Sequence, residues 1–357
     1  MRFKRAQLYG LALWSSLSFS GCIRLSLFTA DRQHREVHNA SEFLQPLQRN
    51  SLEWWYLNGF VQDSSGRDYA FHSALFRRYS FPYGYRWMLN TAFSDPEADT
   101  TYRGYEIFRN KHAVQERNPS LIVGNRQHRL QIDAETLKAD YQTDFFSGSI
   151  AAVTRGPLIP QAPGGIMSYM DGMQAGYLSW PVLQLSGNFM LHDDTAAVAG
   201  EGWFDRQWNA LPLTRRRYRW DWLSISAADF RLMIFRTVDR RNGREAIQGS
   251  WLDAAGHISY LNGDSILLHP DEYWTSPLTG RSYPMQWQVH IPGRSLIACV
   301  DARIHQGEMT LRALGSNFMT YWEGPCNVWG VQGKRVIEGK AFLEMTNAVK
   351  TTPGRTP

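Results

Sequence analysis

Glu53-Trp54-Trp55-Tyr56-Leu57-Asn58-Gly59-Phe60-Val61, followed by Asp63-Ser64-Ser65-Gly66 and then by Tyr69 to Arg77, is the stretch that decides the fold. Aromatic and branched residues suit a pleated, half-buried surface. A polar Asp-Ser-Ser-Gly run between two such segments reads as the turn of a β-hairpin. The same punctuation recurs at Arg241-Asn242-Gly243, Asp253-Ala254-Ala255-Gly256, Leu261-Asn262-Gly263-Asp264 and Leu278-Thr279-Gly280. Strands returning at intervals of about ten residues make a sandwich or barrel. Helical periodicity is poor nearly everywhere, and 155–176 is a Gly/Pro/Met-rich loop. A short echo links Glu53-Trp54-Trp55-Tyr56 to Glu201-Gly202-Trp203-Phe204-Asp205, each ahead of a hairpin. Two barrels in tandem are expected from it, although convergence on an aromatic first strand explains it equally well. The boundary between lobes is placed near residue 190, after the strand Leu183–Gly187, giving lobes of 51–190 and 191–350.

The chain has 357 residues, enough for two ordinary domains. With 43% apolar and 20% charged residues, the composition is that of a globular protein. Its 14 Trp, 16 Tyr and 18 Phe lean towards β structure around a cavity, because such rings serve as pocket walls as well as core. The formal charge of +5 is concentrated at the start: without Arg2, Lys4 and Arg5, 35 basic residues face 33 acidic ones. Arg215-Arg216-Arg217 with Arg219 is a local cluster, read as a solvated turn rather than a polyanion site. Nucleic acid is not an expected partner.

Residues 1–22 have a basic start, an uncharged stretch from Leu8 to Ser20 and the ending Gly21-Cys22, the layout of a secretory signal. The stretch is shorter than the ~20 apolar residues a spanning helix needs. Phe19-Ser20-Gly21-Cys22 resembles a bacterial lipobox, with Phe19 where Leu is more usual, so cleavage before Cys22 and lipidation of its thiol are expected. Ile23 rather than Asp after the Cys favours the outer membrane, and the polar residues 23–50 read as a tether from the lipid to the body. Cys299 and Cys326 remain, either as a disulfide in an oxidising periplasm or as two buried thiols.

Six ordered segments carry a family likeness: Glu53-Trp54-Trp55-Tyr56 with Gly59, Tyr177 to Gly187, Gly200 to Trp208, Trp220-Asp221-Trp222, Tyr283-Pro284 with Trp287, and Tyr321-Trp322-Glu323-Gly324 leading to Gly339–Met345. Together they resemble the AttH-like / carotenoid 1,2-hydratase family, which also includes kievitone hydratase, over roughly residues 50–347. The resemblance implies an all-β protein of two tandem calycin (lipocalin-like) antiparallel β-barrels. It also implies small hydrophobic substrates, often isoprenoid or lipid-like, and for the best-known members addition of water to an isoprenoid double bond.

Hydrating such an alkene requires a proton donor, hence a buried carboxyl with a raised pKa or a His. It also requires aromatic faces beside the resulting cation. On the strand Trp203 to Trp208, side chains alternate, so Arg206 and Trp208 share one face while Trp203, Asp205 and Gln207 share the other. Asp205, Arg206, Trp208 and Glu53 are the candidate catalytic residues. In the hydratase branch the place of Arg206 commonly carries His. Arg stays charged across the physiological pH range and cannot donate a proton near neutrality, so Arg206 speaks against simple transfer of hydratase activity and suits a carboxylate or phosphate head group. A first-strand Trp packed on an Arg is equally a structural feature of lipocalin-like barrels. The expected ligand-binding residues are Trp55, Tyr56, His72, Tyr177, Trp180, Trp203, Trp220, Trp222, Tyr321, Trp322 and Glu323. His192-Asp193-Asp194 reads as a turn, and no metal or cofactor is expected. No HExxH, Walker loop or GxSxG elbow is present, so nothing points to a zinc protease, a P-loop enzyme or a serine hydrolase.

The resulting expectation is an envelope lipoprotein binding or carrying a hydrophobic, lipid-like or isoprenoid ligand. The alternative is a hydratase or isomerase of an isoprenoid-type double bond. Expected partners are that ligand, the membrane through the N-terminal anchor, and an ABC-type exporter.

Overall fold

The computed structural model describes residues 44–47, 52–80, 84–109, 114–117, 120–133, 135–143, 146–191, 194–209, 217–313, 316–346 and 348–350. The leader, Cys22, most of the expected tether, His192, Asp193, Arg215 and Arg216 lie outside the described residues. The first thirteen strands are β1 (Leu52–Asp63), β2 (Asp68–Ser80), β3 (Gly84–Asp95), β4 (Thr100–Arg109), β5 (Val114–Arg117), β6 (Ser120–Gly124), β7 (Arg129–Ile132), β8 (Thr136–Gln142), β9 (Phe146–Thr154), β10 (Ile159–Pro160), β11 (Ile166–Ser168), β12 (Gln174–Leu191) and β13 (Asp194–Trp208). They form one sheet in the order β4-β3-β2-β1-β13-β12-β9-β8-β7-β6-β5, with β10 and β11 paired to β12. A second set follows: β14 (Tyr218–Ala227), β15 (Phe230–Asp239), β16 (Glu245–Asp253), β17 (Ile258–Asn262), β18 (Leu267–Thr275), β19 (Arg281–Ile291), β20 (Leu296–Ala302), β21 (Glu308–Ala313), β22 (Ser316–Gln332), β23 (Arg335–Met345) and β24 (Val349–Lys350). These make the second sheet, β17-β16-β15-β14-β23-β22-β20-β19-β18, with β21 on β22 and β24 on β19. The two antiparallel sheets curl into a nearly closed barrel and a half-barrel, the tandem calycin-like architecture expected.

The change of sheet falls between Trp208 and Tyr218, not near residue 190. The expected boundary lies within a long hairpin, where Leu191 faces Asp194 and pairing continues to Gly176 opposite Trp208. Turn chemistry at residues 192–194 marks a hairpin as readily as a linker, and only the pairing of β13 with β1 assigns it to the first lobe. Register shifts once along β12, between Trp180 and Leu183. Pro181 lies there and has no N–H for the ladder.

Strand alternation sorts the aromatic residues. Trp55 and Leu57 on β1, with Phe204 on β13, face the first barrel's core, together with Phe71, Leu75, Trp87, Phe93 and Phe189. Leu223, Ile225, Trp251, Trp287, Val289, Trp322 and Val328 fill the second. The opposite faces of the same strands meet in a third cluster, where Tyr56, Tyr177 and Trp203 pack against Trp220, Trp222, Phe235 and Phe342. Burying aromatic side chains of this size stabilises by roughly 2–3 kcal/mol each, so the face-to-face docking of the sheets is itself a core. Met167 and Tyr169, from the expected loop 155–176, close onto this cluster.

The tether does not run free up to residue 50. Leu44 is 1% exposed, and its carbonyl accepts the indole N–H of Trp55 at 2.7 Å. Cys299 and Cys326 are both buried free thiols. In the sheet Cys326 stands opposite Ala302 and Cys299 opposite Trp329, so the two are out of step by three residues.

Candidate functional site

Between the sheets lies a narrow cleft with a cavity volume of about 40 Å3. Its walls come from both lobes: Trp54, Tyr56, Phe76, Tyr177, Asp205 and Gln207 from the first, and Trp220, Trp222, Phe235, Tyr321, Glu323 and Glu344 from the second. Each belongs to the outward-facing row of its strand. Rings meet edge to face across the gap, Tyr56 on Trp222 at 5.5 Å and Trp203 on Trp222 at 6.4 Å. Three carboxyl groups share this aromatic space, and among the described residues none that lines it is Lys, Arg or His.

Asp205, 2% exposed, is the most heavily hydrogen-bonded of the three. The Tyr177 hydroxyl and the Trp203 indole each donate to it at 2.6 Å, and the Ser179 hydroxyl donates to Oδ1. Burial pushes its pKa up to about 6, with these donors holding it lower than burial alone would. The network crosses between lobes: Trp222 donates to the Tyr177 hydroxyl at 2.7 Å, and Gln161 bridges Ser179 to Ser250.

On the other wall, Glu323 and Glu344 are direct cross-strand neighbours on β22 and β23. Glu344 accepts the Trp220 indole N–H at 3.1 Å, and burial raises it to about 7. Glu323 is raised well above the usual carboxylate range, first by burial and then by the charge of Glu344. Its Oε1 accepts the Tyr56 hydroxyl, and Nε2 of His72 lies 3.2 Å from its Oε2. Burial, with the charge of Arg103 adding to it, pushes the His72 imidazole down to about 3. Two adjacent buried carboxyls titrate as a pair and retain at least one proton near neutrality.

Asp205 stands in the cleft, but the other three expected catalytic residues do not. Glu53, Arg206 and Trp208 lie on the inward face of β1 and β13. There Arg206, 0% exposed, pairs with Oε2 of Glu53 at 2.6 Å and stacks over Trp55 at 4.0 Å. Arg77 completes the cluster at 3.1 Å from Oε1. The cluster holds the end of the tether: Glu53 accepts from the backbone N–H of Leu47, Arg77 donates to the Leu47 carbonyl and Arg206 to that of Gln45. Burial pushes the Arg206 guanidinium down to about 10, against the opposing pull of Glu53. It remains a cation at neutral pH, and its charge is committed to Glu53. The expected contact between Arg206 and a ligand head group is therefore corrected, as is the weight placed on Arg206 standing where a His is usual.

Of the expected ligand-binding residues, Tyr56, Tyr177, Trp220, Trp222, Tyr321 and Glu323 line the cleft. Trp203 and His72 stand behind it as partners of Asp205 and Glu323. Trp55, Trp180 and Trp322 point into the barrel cores instead, because each occupies an inward position of its strand. Glu344 was not foreseen. The signal was a lone carboxylate within the apolar run Ala341-Phe342-Leu343-Glu344-Met345.

Residues 40–348 match the family model described as AttH-like. A crystal structure of a putative AttH from Nitrosomonas europaea is similar at 22% identity and a TM-score of 0.72, covering 86% of this chain and 95% of that one. Kievitone hydratase from Nectria haematococca is similar at 14% identity and a TM-score of 0.69, covering 86% and 92%. CghA with Sch210972 is similar at 13% identity and a TM-score of 0.59, covering 85% and 90%. No curated protein sequence matches the chain.

Proposed function

The chain belongs to the AttH-like family, and from that premise we propose that it is an acid–base enzyme that hydrates or isomerises an isoprenoid-type double bond in a neutral hydrophobic molecule. The observation that carries this reading is the set of three buried carboxyls facing an aromatic cleft whose described lining residues include no cation. An anionic head group finds no partner among the described lining residues, whereas a neutral alkene finds protonated acids and π faces. The hydratase among the fold neighbours is in keeping with this reading.

The Glu323–Glu344 pair supplies the proton. The alkene π electrons take it from a carboxyl O–H, forming a C–H bond and leaving a cation on the neighbouring carbon. The faces of Tyr56, Trp220 and Trp222 stabilise such a cation by about 1–2 kcal/mol each when desolvated. Water then adds its oxygen to the cation and loses a proton to the Asp205 carboxylate, and proton exchange restores both acids. In isomerisation the cation loses a proton from an adjacent carbon to Asp205 instead. General acid catalysis of this kind is worth about 10²–10⁴-fold.

Binding without chemistry is the second reading, favoured by the enclosed aromatic walls alone. The setting we propose, an envelope lipoprotein anchored through Cys22, rests on the leader sequence. The function is tested with neutral prenylated aromatics and acyclic isoprenoids in ¹⁸O-labelled water. A product heavier by one labelled water, or an isomer carrying solvent deuterium in heavy water, is expected, and Glu344→Gln and Asp205→Asn each abolish it. Bound but unchanged ligand throughout the panel favours the second reading, and product formation that persists in both variants removes the acid–base assignment.

A further inference from the structure

Glu323 and Glu344 stand side by side on the second sheet, yet their neighbours differ. Glu344 borders the cleft and accepts the Trp220 indole N–H. Glu323 is enclosed from the opposite lobe, with Tyr56 of β1 donating to Oε1 and His72 of β2 presenting Nε2 at 3.2 Å from Oε2. The His72 ring is 2% exposed and sits between Tyr56, at 6.2 Å, and Phe342, at 6.0 Å. Its Nε2 lies outside hydrogen-bond geometry with any described group. A buried ring nitrogen left that way costs about 1–3 kcal/mol.

A proton shared between Glu323 and His72 resolves this once the groups turn slightly, because the lone pair of Nε2 points in the same in-plane direction as an N–H would. Oε1 already accepts from Tyr56, so the carboxyl hydrogen belongs on Oε2, and a small rotation directs it to Nε2. The opposite arrangement, imidazolium against carboxylate, is opposed by burial and by the neighbouring charges, against the pull of the Tyr56 and Tyr321 hydroxyls that favour a Glu323 carboxylate. Arg103 of β4 is close enough to oppose a charge on His72, and Glu344 of β23 opposes one on Glu323. Tyr321, on the same strand as Glu323, is a neutral hydroxyl that Asn90 of β3 also contacts.

We propose that His72 is a positioning residue that accepts the proton of Glu323, pinning that carboxyl in its neutral form and leaving Glu344 as the acid that exchanges protons with the ligand. A neutral Glu323 spares Glu344 a buried like charge, so Glu344 titrates near neutrality, where a general acid is most effective. The catalytic consequence rests on the acid–base reading of the cleft. The protonation state of the pair does not.

The test is ¹⁵N NMR of the full chain labelled at histidine. The His72 signal is identified by its loss in His72→Gln and, independently, by its shift in Glu323→Gln. The expected result is one neutral tautomer, with the proton on Nδ1, unchanged across pH ~5–8, where an ordinary His titrates. An imidazolium in that range, or a proton on Nε2, overturns the proposal whatever the activity. Where turnover is found, His72→Leu is expected to move the alkaline limb of the pH–rate profile upward, because losing the acceptor weakens the neutral form of Glu323, and charge gained there makes Glu344 hold its proton more tightly. His72→Gln, which keeps an acceptor, leaves the limb in place, and an unmoved limb in His72→Leu refutes the positioning role. A neutral His72 without turnover on any probe upholds the pair and defeats only the enzymatic reading.

Discussion

Replacing Asp205 with Asn should change how stability depends on pH more than it changes stability itself. Asp205 titrates at about 6 in the folded protein, against about 3.9 in an unfolded chain. Its folded pKa is raised, so its contribution to stability is complete below about pH 4 and is lost as pH rises through 6. Each unit of pKa is worth about 1.36 kcal/mol, which makes the loss on the order of 3 kcal/mol by pH 8. An Asn is already neutral and keeps an acceptor for the Trp203 and Ser179 donors, while the Tyr177 hydroxyl can turn to accept from its amide. Urea unfolding of both proteins at several pH values from ~4 to ~8 reads chiefly this group, with a smaller contribution from Glu344, which the Asp205 charge also raises. Near pH 4 the two should be close, and by pH 8 the variant should have gained about 3 kcal/mol on the wild type. Parallel pH profiles would mean that Asp205 is not held in a desolvated site, and the assignment of the cleft as a dry acid–base chamber would fail with it.

Three further outcomes follow from the geometry. Arg206→Met should lower stability by ~3 kcal/mol, because Glu53 keeps Arg77 but loses its closer partner; calorimetry reads this, and affinity for cleft ligands should not change. Cys299 and Cys326 should react with a thiol reagent only after unfolding, and the melting temperature should be indifferent to reductant. Gly176→Ala should destabilise by at least ~1–3 kcal/mol, since its methyl group would fall within the Trp208 indole at the end of the β12–β13 hairpin; a full-strength variant in a denaturant titration would show that the ring is free to move.

Much of the cleft follows from the two-residue period of the strands. Adjacent Trp54 and Trp55 must point opposite ways, as must Asp205 and Arg206, and the structure separates both pairs in that manner. Which face meets the other lobe is not a local property, so the charged cluster of Glu53 and Arg206 looked as functional as Asp205. The difference lies in what each can still do. Arg206 is saturated by Glu53, two backbone carbonyls and two rings, and it fastens Leu44–Leu47 to the barrel end. Glu344 was hidden for the converse reason. A single carboxylate in an apolar strand reads as an exposed position until the register of β22 with β23 sets it beside Glu323. The lobe boundary was obscured likewise, because polar turn residues look the same within a hairpin as between domains, and only the pairing of β13 with β1 tells them apart. A departure from a family pattern therefore carries functional weight only on the face that meets the ligand. Arg206 lies on the other face, so its departure from the hydratase pattern does not bear on the roles proposed for Asp205, Glu323 and Glu344.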